Sequence, residues 1–429
     1  MGPPPDLVDR SLTARNPAAG YEFRIVARVS EVAASRVSRL AAKRLGTATP
    51  VLAVTLLVLG ASLAMQLWYL RHGTASPLGD IPGRYIVRGI RPGSLPYVDR
   101  VVEYPVLIGW AMWFASWIGR SPQAFFLVTA FGSAALALLL VVIVRARTGA
   151  RVWHLALAPA LFLYAFHNWD LLALVPAVVA LMAFEAGADG WAGTLLAFGA
   201  SAKVFPGLFL VPLVALRLTK GVGNARRLVV SAVVTTLVLN VPTFLASPSG
   251  WWFPARFQGN RPATWGTLWY WLLRVSWFRD IVGANTPQLA NRLSIGALTL
   301  GLTAISLLAV RRRLDPYSVG AAVVAVFLLT NKVYSPNYDI WIVPFFALVT
   351  YPAWLRRVLA ACSVAVFVLV YGMFHGLVSH ATTVEFLAFV VVTRAAMLVA
   401  VIVIAVMPLR SSAAARDELP EEGIPALVA

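Results

Sequence analysis

The chain has 429 residues, of which 59% are hydrophobic and 13% charged, whereas an average soluble domain has about 45–50% apolar and about 25% charged residues. Charge this sparse does not cover a water-facing surface. The composition therefore argues against a soluble enzyme, a disordered protein and a nucleic-acid-binding module, despite a formal net charge of +18. The single cysteine, Cys362, excludes an intrachain disulfide and a Cys-based zinc site. The composition predicts an all-α, polytopic membrane protein.

The first 49 residues form a polar, basic segment with eight Lys and Arg side chains. This segment is too long and too charged before the first apolar run for a cleaved signal peptide. Its stretch from 29 to 45 is compatible with a helix on an anionic lipid surface, but a solvated tail is the preferred interpretation. We expect 1–49 to be a cytoplasmic tail, 50–410 the membrane domain and 411–429 a second cytoplasmic tail.

The apolar runs of the membrane domain are of two kinds. A spanning helix needs roughly 20 apolar residues, and clear spans are predicted at 50–70, 123–144, 228–246, 293–310, 355–373 and 385–407. Shorter or broken runs lie at 153–166, 170–185, 191–202, 204–218, 317–330 and 338–350. Because interrupted helices are tolerated at membrane depth only where they line an enclosed or wet cavity, these runs predict an irregular bundle of about 12 spans.

The run at 105–119 decides the topology. It is short, and Trp110, Trp113 and Trp117 recur at near-helical spacing. Since Trp favours the headgroup level, we interpret this run as an interfacial helix in the first outer loop rather than a span. With a cytoplasmic N-terminus, the basic clusters of the short loops then lie inside, as the positive-inside rule requires, and both termini are cytoplasmic. These clusters contain Arg145, Arg147, Arg151, Arg217, Lys220, Arg226, Arg227, Arg311, Arg312, Arg313, Arg356 and Arg357.

The same topology places the long polar loops, 71–122 and 247–292, on the outer face. That face carries seven of the ten acidic residues between 50 and 408, together with 13 Lys and Arg. So much positive charge outside opposes the positive-inside rule, and binding of an anionic substrate accounts for it.

Asp80 is the first candidate for chemistry. It follows the first predicted span by ten residues, in the sequence Gly79-Asp80-Ile81-Pro82-Gly83-Arg84-Tyr85. A carboxylate close to the membrane surface is suited to deprotonating a sugar hydroxyl that attacks a lipid-linked substrate, which is general-base catalysis. The alternative is structural, because Asp with Pro two positions later often starts a helix.

Lys203 interrupts an apolar run, and a lysine in such a position usually faces a cavity and a partner. A lipid phosphate is one candidate partner, and snorkelling of the ammonium to the surface is the alternative. His167-Asn168-Trp169-Asp170 begins a helix on the same face. For Asp170 a helix cap or an ion pair with Lys203 ranks before a role as sugar ligand.

The long outer loop combines aromatic and basic residues, among them Trp251, Trp252, Arg261, Trp265 and Trp269. Aromatic faces beside Arg suit stacking on sugar rings and pairing with phosphate, whereas an interfacial aromatic belt is the alternative. The last polar segment, Asn331-Lys332-Val333-Tyr334-Ser335-Pro336-Asn337-Tyr338, joins two short runs and can present Lys332 to the same cavity.

Taken in order, these segments resemble the GT-C superfamily of polyprenyl-phosphate-sugar-dependent glycosyltransferases, and more narrowly actinobacterial members of glycosyltransferase family 87. The shared features are Asp-Ile-Pro-x-x-Tyr after the first span, Pro-Tyr, Glu-Tyr-Pro-Val-Leu, Asn-Trp-Asp-Leu-Leu, Ala-Lys-x-x-Pro and Asn-Lys-Val-Tyr-Ser-Pro-x-Tyr before Trp341. The likeness extends from about residue 50 to 400, and the order and spacing of the motifs carry it.

The resemblance implies a GT-C fold and an inverting transferase whose donor is a sugar, most simply mannose, on a polyprenyl phosphate. The acceptor would be a glycolipid or polysaccharide at the outer face of the plasma membrane. The family's catalytic base maps onto Asp80. We assign the donor phosphate to Lys203, Arg261, Lys332, Arg84 and Arg88. We assign substrate contacts to Tyr85, Glu103, Tyr104, His167, Asn168, Asp170, Trp265, Trp269, Tyr334 and Asn337.

No cofactor is expected. Metal-dependent lipid-sugar transferases have paired acids in the first outer loop, whereas Ile81 follows Asp80 here, which predicts metal-independent catalysis. Two other functions stay open: an arabinofuranosyltransferase that uses polyprenyl-phosphate arabinose, and a transporter or flippase for lipid-linked sugars. A transporter predicts internal repeats and midplane charges. No repeat is found, although Arg394 lies in the middle of the last predicted span, where Glu385 is a candidate partner.

Overall fold

The computed structural model describes residues 49–72, 79–374, 376 and 378–407. Within these ranges the chain is helical, apart from loops and an isolated β-bridge between Pro96 and Arg100. The helices are α1 Thr49–Arg71, α2 Asp80–Val87, α3 Val106–Ile118, α4 Pro122–Thr148, α5 Trp153–Ala156, α6 Pro159–Tyr164, α7 Asp170–Glu185, α8 Asp189–Ala200, α9 Phe205–Leu208, α10 Leu210–Leu218, α11 Val222–Ala246, α12 Pro248–Gly259, α13 Leu268–Leu272, α14 Ser276–Val282, α15 Pro287–Arg312, α16 Pro316–Thr330, α17 Phe345–Leu348, α18 Ala353–Phe374 and α19 His380–Val406. Short 3₁₀ turns lie at Gly149–Val152 and Pro336–Trp341. The two predicted tails fall outside the described residues, except at Thr49.

Six helices are long and apolar enough to cross a membrane: α1, α4 with its continuation to Ala156, α11, α15, α18 and α19. They correspond one to one with the six clear predicted spans, which are thereby confirmed as helices of spanning length. Large apolar side chains on these helices, such as Val238, Leu300 and Phe389, are exposed. Apolar surface of this extent on long helices fits contact with lipid, so the chain is a helical membrane protein.

The shorter predicted runs form the interior. α7 has the predicted bounds, and both α7 and α16 are apolar and buried over most of their length, as expected for helices surrounded by protein. The runs at 153–166, 204–218 and 338–350 are broken, with short helices that begin at or next to Pro159, Pro206 and Pro344, whereas the run at 191–202 forms the single helix α8. Proline lacks a backbone N–H and is favoured in the first helical turn, so each break begins a new short helix.

The 13-residue α3 is too short to span a bilayer, because about 20 residues are needed. Trp110 of α3 donates from Nε1 to Thr243 Oγ1 of α11 at 3.2 Å, and Trp113 Nε1 donates to the Pro92 carbonyl at 3.1 Å. These bonds fix α3 against the end of α11 and the first loop. Its location at the membrane interface stays a prediction.

The long helices end near one another at two opposite ends of the fold, and the candidate site lies at the end that contains Asp80. At the Asp80 end, Tyr85 of α2 contacts Phe125 near the start of α4, and Tyr371 near the end of α18 bonds His167. At the opposite end, Arg147 pairs with Glu185, and Arg217 pairs with Asp189. Arg312 donates there to the Val406 carbonyl, so α15 and α19 end together. The basic clusters predicted to share one membrane face are represented at this opposite end.

Candidate active site

Asp80 is the first residue of α2, and its backbone links the start of α2 to the loop that contains His167. Its N–H donates to the His167 carbonyl at 2.9 Å, and a Cβ at Gly79 would lie 2.7 Å from the same oxygen. A side chain at position 79 would therefore force the loops apart. The cap residue of α2 is Gly79, so the Asp80 carboxylate does not cap the helix and is free for other contacts.

The Asp80 carboxylate is held by three side chains. Oδ2 accepts from Tyr104 Oη at 2.7 Å and from Asn168 Nδ2 at 2.8 Å, whereas Oδ1 has a longer contact of 3.3 Å with Arg84 Nη2. Arg84 also pairs with the buried Glu103, which Arg88 contacts from Nε at 3.0 Å. Two carboxylates and two guanidinium groups thus form one network beside the loop.

This network keeps Asp80 ionised. Burial alone would raise the pKa of the Asp80 carboxyl, but the charge of Arg84, the neighbouring His167, the Tyr104 hydrogen bond and the charge of Lys203 together hold the pKa below its usual value. Since its pKa is lowered, Asp80 is a carboxylate at neutral pH and can accept a proton.

Asp80 lies between two cavities. The Asp80 cavity, of about 370 Å³, is lined by Asp80, Arg84, Tyr104, Lys203, Arg261 and Tyr338 together with Glu103, Asn168, Trp265 and Tyr334. The Tyr371 cavity, of about 350 Å³, is lined by Asp80, Arg84, His167, Trp265, Val370, Tyr371 and Phe374. Asp80 therefore borders both spaces, which also share Arg84, Trp265, Ser335 and Pro336.

An aromatic groove continues from the Asp80 cavity. The groove is about 390 Å³ and is lined by Phe205, Trp251, Trp252, Phe327, Trp341 and Lys332. Tyr104, Lys203 and Tyr338 line both the groove and the Asp80 cavity. A polar space next to the carboxylate thus opens into an apolar one, which suits an amphiphile with a charged head and a hydrocarbon tail.

Lys203 stands at the junction of these two spaces. Its Nζ is 3.3 Å from Asp170 Oδ1, 4.9 Å from the ring centroid of Tyr104 and 5.8 Å from that of Tyr338. The ion pair with Asp170 is one of the alternatives weighed from the sequence. Because Lys203 also lines both spaces, the ion pair leaves it in reach of a ligand.

The loop after α12 is hydrogen-bonded to the segment after α16. Lys332 Nζ donates to the Arg261 carbonyl at 2.5 Å, and the Thr264 N–H donates to the Lys332 carbonyl at 2.9 Å. Burial and the neighbouring Arg261 charge lower the pKa of Lys332 to about 8. The Arg261 guanidinium makes no ion pair within the described residues, although it lines the Asp80 cavity.

Several predicted site residues lie elsewhere. Asp170 and Asn337 are buried and bond each other, and Asp170 also accepts from Trp341 Nε1 at 2.9 Å. Tyr85 is buried under Arg91, whose guanidinium carbon is 3.8 Å from the ring centroid. Trp269 donates to the Thr330 carbonyl at 2.7 Å. These four residues and Arg88 line none of the three spaces and make contacts that hold the fold, and their assignment to ligand contacts stays a prediction.

Arg394 has a different partner from the one considered. Its Nη1 is 3.7 Å from Asp339 Oδ1, its Nη2 donates to the Gly266 carbonyl at 2.6 Å, and its guanidinium carbon is 3.6 Å from the ring centroid of Tyr334. Tyr334 in turn donates to Asp339. The suggested pairing with Glu385 is wrong, because Arg394 points inward to this buried acid.

Sequence reasoning missed Tyr371 and Tyr338. Tyr371 bonds His167, with Oη 2.9 Å from Nε2, and lines the Tyr371 cavity, while Tyr338 lines the Asp80 cavity. A hydroxyl near the end of an otherwise apolar span was the available signal for Tyr371. Among the described residues, no group of three or more His, Cys, Asp and Glu is close enough to hold a metal ion.

The fold and the site define an all-α membrane protein with a carboxylate between two cavities. No family model matches the chain, and no curated protein matches it. Among solved structures, the crystal structure of ArnT from Cupriavidus metallidurans in the apo state is similar, with 18% identity and a TM-score of 0.42. The match covers 82% of this chain and 76% of that chain. A likeness at this level does not assign the chain to a family.

Proposed function

We propose that the chain is a GT-C glycosyltransferase of the plasma membrane, which transfers a sugar from a polyprenyl phosphate to a glycolipid or polysaccharide. Mannose is the sugar proposed first, and arabinofuranose is the alternative. The observation that carries the proposal is that Asp80 borders both the Asp80 cavity and the Tyr371 cavity, whereas Lys203 and the aromatic groove adjoin the Asp80 cavity and not the Tyr371 cavity.

The donor fits the side that contains Lys203. Its phosphate would lie near Lys203 and Arg261, and its polyprenyl tail along the aromatic groove. Positive groups at this position stabilise the negative charge that develops on the leaving phosphate, which is a transition-state interaction. An acceptor hydroxyl that enters from the Tyr371 cavity would then meet the sugar beside Asp80, which borders both spaces.

In the proposed reaction the acceptor oxygen attacks the anomeric carbon as the bond from that carbon to the phosphate oxygen breaks. The configuration inverts, polyprenyl phosphate leaves with the electron pair of the broken bond, and the acceptor hydroxyl proton passes to Asp80. We assign this proton to Oδ1, because Oδ2 already accepts hydrogen bonds from Tyr104 and Asn168. Those two bonds orient the base.

The test is sugar transfer in nanodiscs with polyprenyl-phosphate mannose and a membrane lipid extract, comparing wild type, Asp80→Asn and Asp99→Asn. Asp99 is an exposed carboxylate of the same loop that lines none of the three spaces, so it is the matched control. We expect Asp80→Asn to lose transfer and Asp99→Asn to keep it. Equal transfer by all three proteins would remove Asp80 as the base.

Two further arms of the same assay address the donor and the metal. If wild type transfers no mannose, polyprenyl-phosphate arabinose tests the alternative sugar, and failure with both donors would contradict the transferase. We also propose that no divalent metal is needed, since Ile81 and not a second acid follows Asp80. Transfer should therefore continue in EDTA.

A further inference from the structure

A fourth cavity, of about 350 Å³, has its rim at the opposite end of the protein from the candidate active site. We call it the Arg356 cavity, after a rim that contains Trp153, His154, Arg356 and Arg357. These arginines stand in the first turns of α18, whereas Tyr371, near the other end of α18, lines the Tyr371 cavity. Arg356 and Tyr371 are 15 residues apart on α18, which is a rise of about 22 Å. Tyr334, which also lines the Asp80 cavity, lies at the inner end of the Arg356 cavity.

The walls of the Arg356 cavity are apolar. They include Leu157, Ile342, Phe346, Leu359 and Leu398. At the deep end, Asp339 accepts from Ser363 Oγ at 2.6 Å and from Tyr334 Oη at 2.5 Å. These groups satisfy one another, so the depth of the cavity offers no attraction to an anion, and its positive charge is confined to the rim.

The charge at the rim is unneutralised. Within the described residues neither Arg356 nor Arg357 makes an ion pair, whereas Arg147 and Arg217 at the same end pair with Glu185 and Asp189. Among these residues, the partner of the Arg356 guanidinium is the backbone carbonyl of Tyr351. No acidic side chain of the described residues therefore offsets the positive charge of Arg356 and Arg357 at the rim.

The start of α18 adds to this positive field. Its first turn contains no acidic residue, and the N-terminal N–H groups of a helix carry a partial positive charge. Two arginines there repel that charge, and a bound anion relieves the repulsion. The rim therefore favours an anion, whereas the walls below it favour hydrocarbon.

We infer that the Arg356 cavity binds an anionic phospholipid, with the headgroup phosphate at Arg356 and Arg357 and an acyl chain along Leu157, Phe346 and Leu398. A free phosphate would use the rim alone and leave the apolar walls bare. The site is distinct from the aromatic groove proposed for the donor, and its rim lies at the other end of the fold.

The test is native mass spectrometry of the full chain from detergent, titrated with phosphatidylglycerol or with zwitterionic phosphatidylcholine of the same acyl chains. The variant is Arg356→Gln/Arg357→Gln. Its matched control is Arg226→Gln/Arg227→Gln, which removes two adjacent, exposed arginines from the first turns of α11, where they do not line the cavity.

We expect wild type and the control to bind phosphatidylglycerol at least about tenfold more tightly than the Arg356→Gln/Arg357→Gln variant, the equivalent of one charge-assisted hydrogen bond. They should also prefer it over phosphatidylcholine. Equal weakening of both variants would reduce the effect to net charge and overturn the site, as would equal binding of the two lipids.

A second variant tests the apolar part without touching the arginines. Ala360→Phe fills the wall of the cavity, and we expect it to lower the affinity for phosphatidylglycerol while inorganic phosphate has no effect on lipid binding. Unchanged affinity in Ala360→Phe, or displacement of the lipid by inorganic phosphate at similar concentrations, would show rim binding of an anion only and contradict the lipid assignment.

Discussion

Asp80 is an acid whose neighbours determine its protonation. Arg84, Tyr104 and Asn168 contact its two oxygens directly, and Lys203 lines the same cavity. A base with a lowered pKa is weak. Proton transfer to it is therefore favourable only late in the reaction, when the attacking oxygen has become acidic because its bond to the anomeric carbon is forming. The role of the neighbours is to keep the base ionised and aimed.

This electrostatic environment predicts a pH dependence. In wild type, kcat/KM should stay constant on acidification until the pH falls below the ordinary carboxyl range, because Asp80 remains ionised. Arg84→Gln removes a positive charge, which raises the pKa of Asp80, so the loss of activity should begin about one pH unit higher. Profiles of kcat/KM against pH measure this difference.

The control is Arg120→Gln, which removes an exposed arginine that lines none of the three spaces. For this variant, kcat/KM should fall on acidification at the same pH as for wild type. An acid limb that moves equally in both variants would mean that net charge and not the Arg84 contact sets the pKa of Asp80.

Lys203 combines a structural and a proposed binding role. Because Asp170 is 1% exposed, Lys203→Ala leaves a buried carboxylate without its cation, and we expect the free energy of unfolding to fall by about 3 kcal/mol. Lys203→Ala/Asp170→Asn removes both charges and should recover much of this stability. Donor affinity should stay low in both variants, because Lys203 and not Asp170 lines the cavity proposed for the donor.

Thermal unfolding and donor titrations separate the two roles. Recovery of stability together with full donor affinity in the double variant would show that Lys203 acts through Asp170 alone.

Among the elements, the start of α2 is the most sensitive to a small change. Gly79→Ala places a Cβ 2.7 Å from the His167 carbonyl, so the α2 loop or the His167 loop must move. Asp80 follows in one loop and Asn168 in the other, and a misplacement of about 1 Å can cost about 100-fold in rate. We expect kcat to fall at least about tenfold.

Gly93→Ala is the control, since nothing lies within 4 Å of its added methyl group. It should transfer sugar as wild type does. If Gly79→Ala keeps full activity at an unchanged Tm, the close approach to His167 does not position the base.

The long helices were predictable because length and hydropathy define them without reference to neighbours. Asp80 and Lys203 were likewise singled out because polar side chains interrupt or follow apolar runs, and both lie in the Asp80 cavity. Tyr85, Asp170 and Asn337 were assigned to ligands because they share motifs with such residues. Tyr85 lies in the eight-residue α2 and Asn337 in a 3₁₀ turn, and periodicity over so few residues does not define which face is buried. For Asp170 the ion pair with Lys203 was already among the alternatives that the sequence offered.

At the scale of the whole molecule, basic residues of the short loops lie together at one end. Arg147, Arg217 and Arg312 lie at the opposite end from Asp80. The positive-inside rule applied to this arrangement predicts that the Asp80 end is extracytoplasmic.

Single-cysteine labelling tests this orientation, because the native Cys362 is buried. We expect a membrane-impermeant maleimide to label Leu95→Cys in intact cells, and Asn224→Cys only after lysis. Both side chains are exposed, Leu95 in the loop after α2 and Asn224 at the start of α11. The reverse pattern would invert the protein and contradict an outer active site.

The aromatic groove has a consequence for how a lipid donor is encountered. Trp252 on its wall is 52% exposed. The polyprenyl chain of the proposed donor can therefore enter the groove laterally, without leaving the bilayer. The quantity that governs occupancy is then the mole fraction of donor among the surrounding lipids, and collision occurs by diffusion in two dimensions. Diluting the membrane with inert lipid should slow the reaction even when the amount of donor per volume of sample is unchanged.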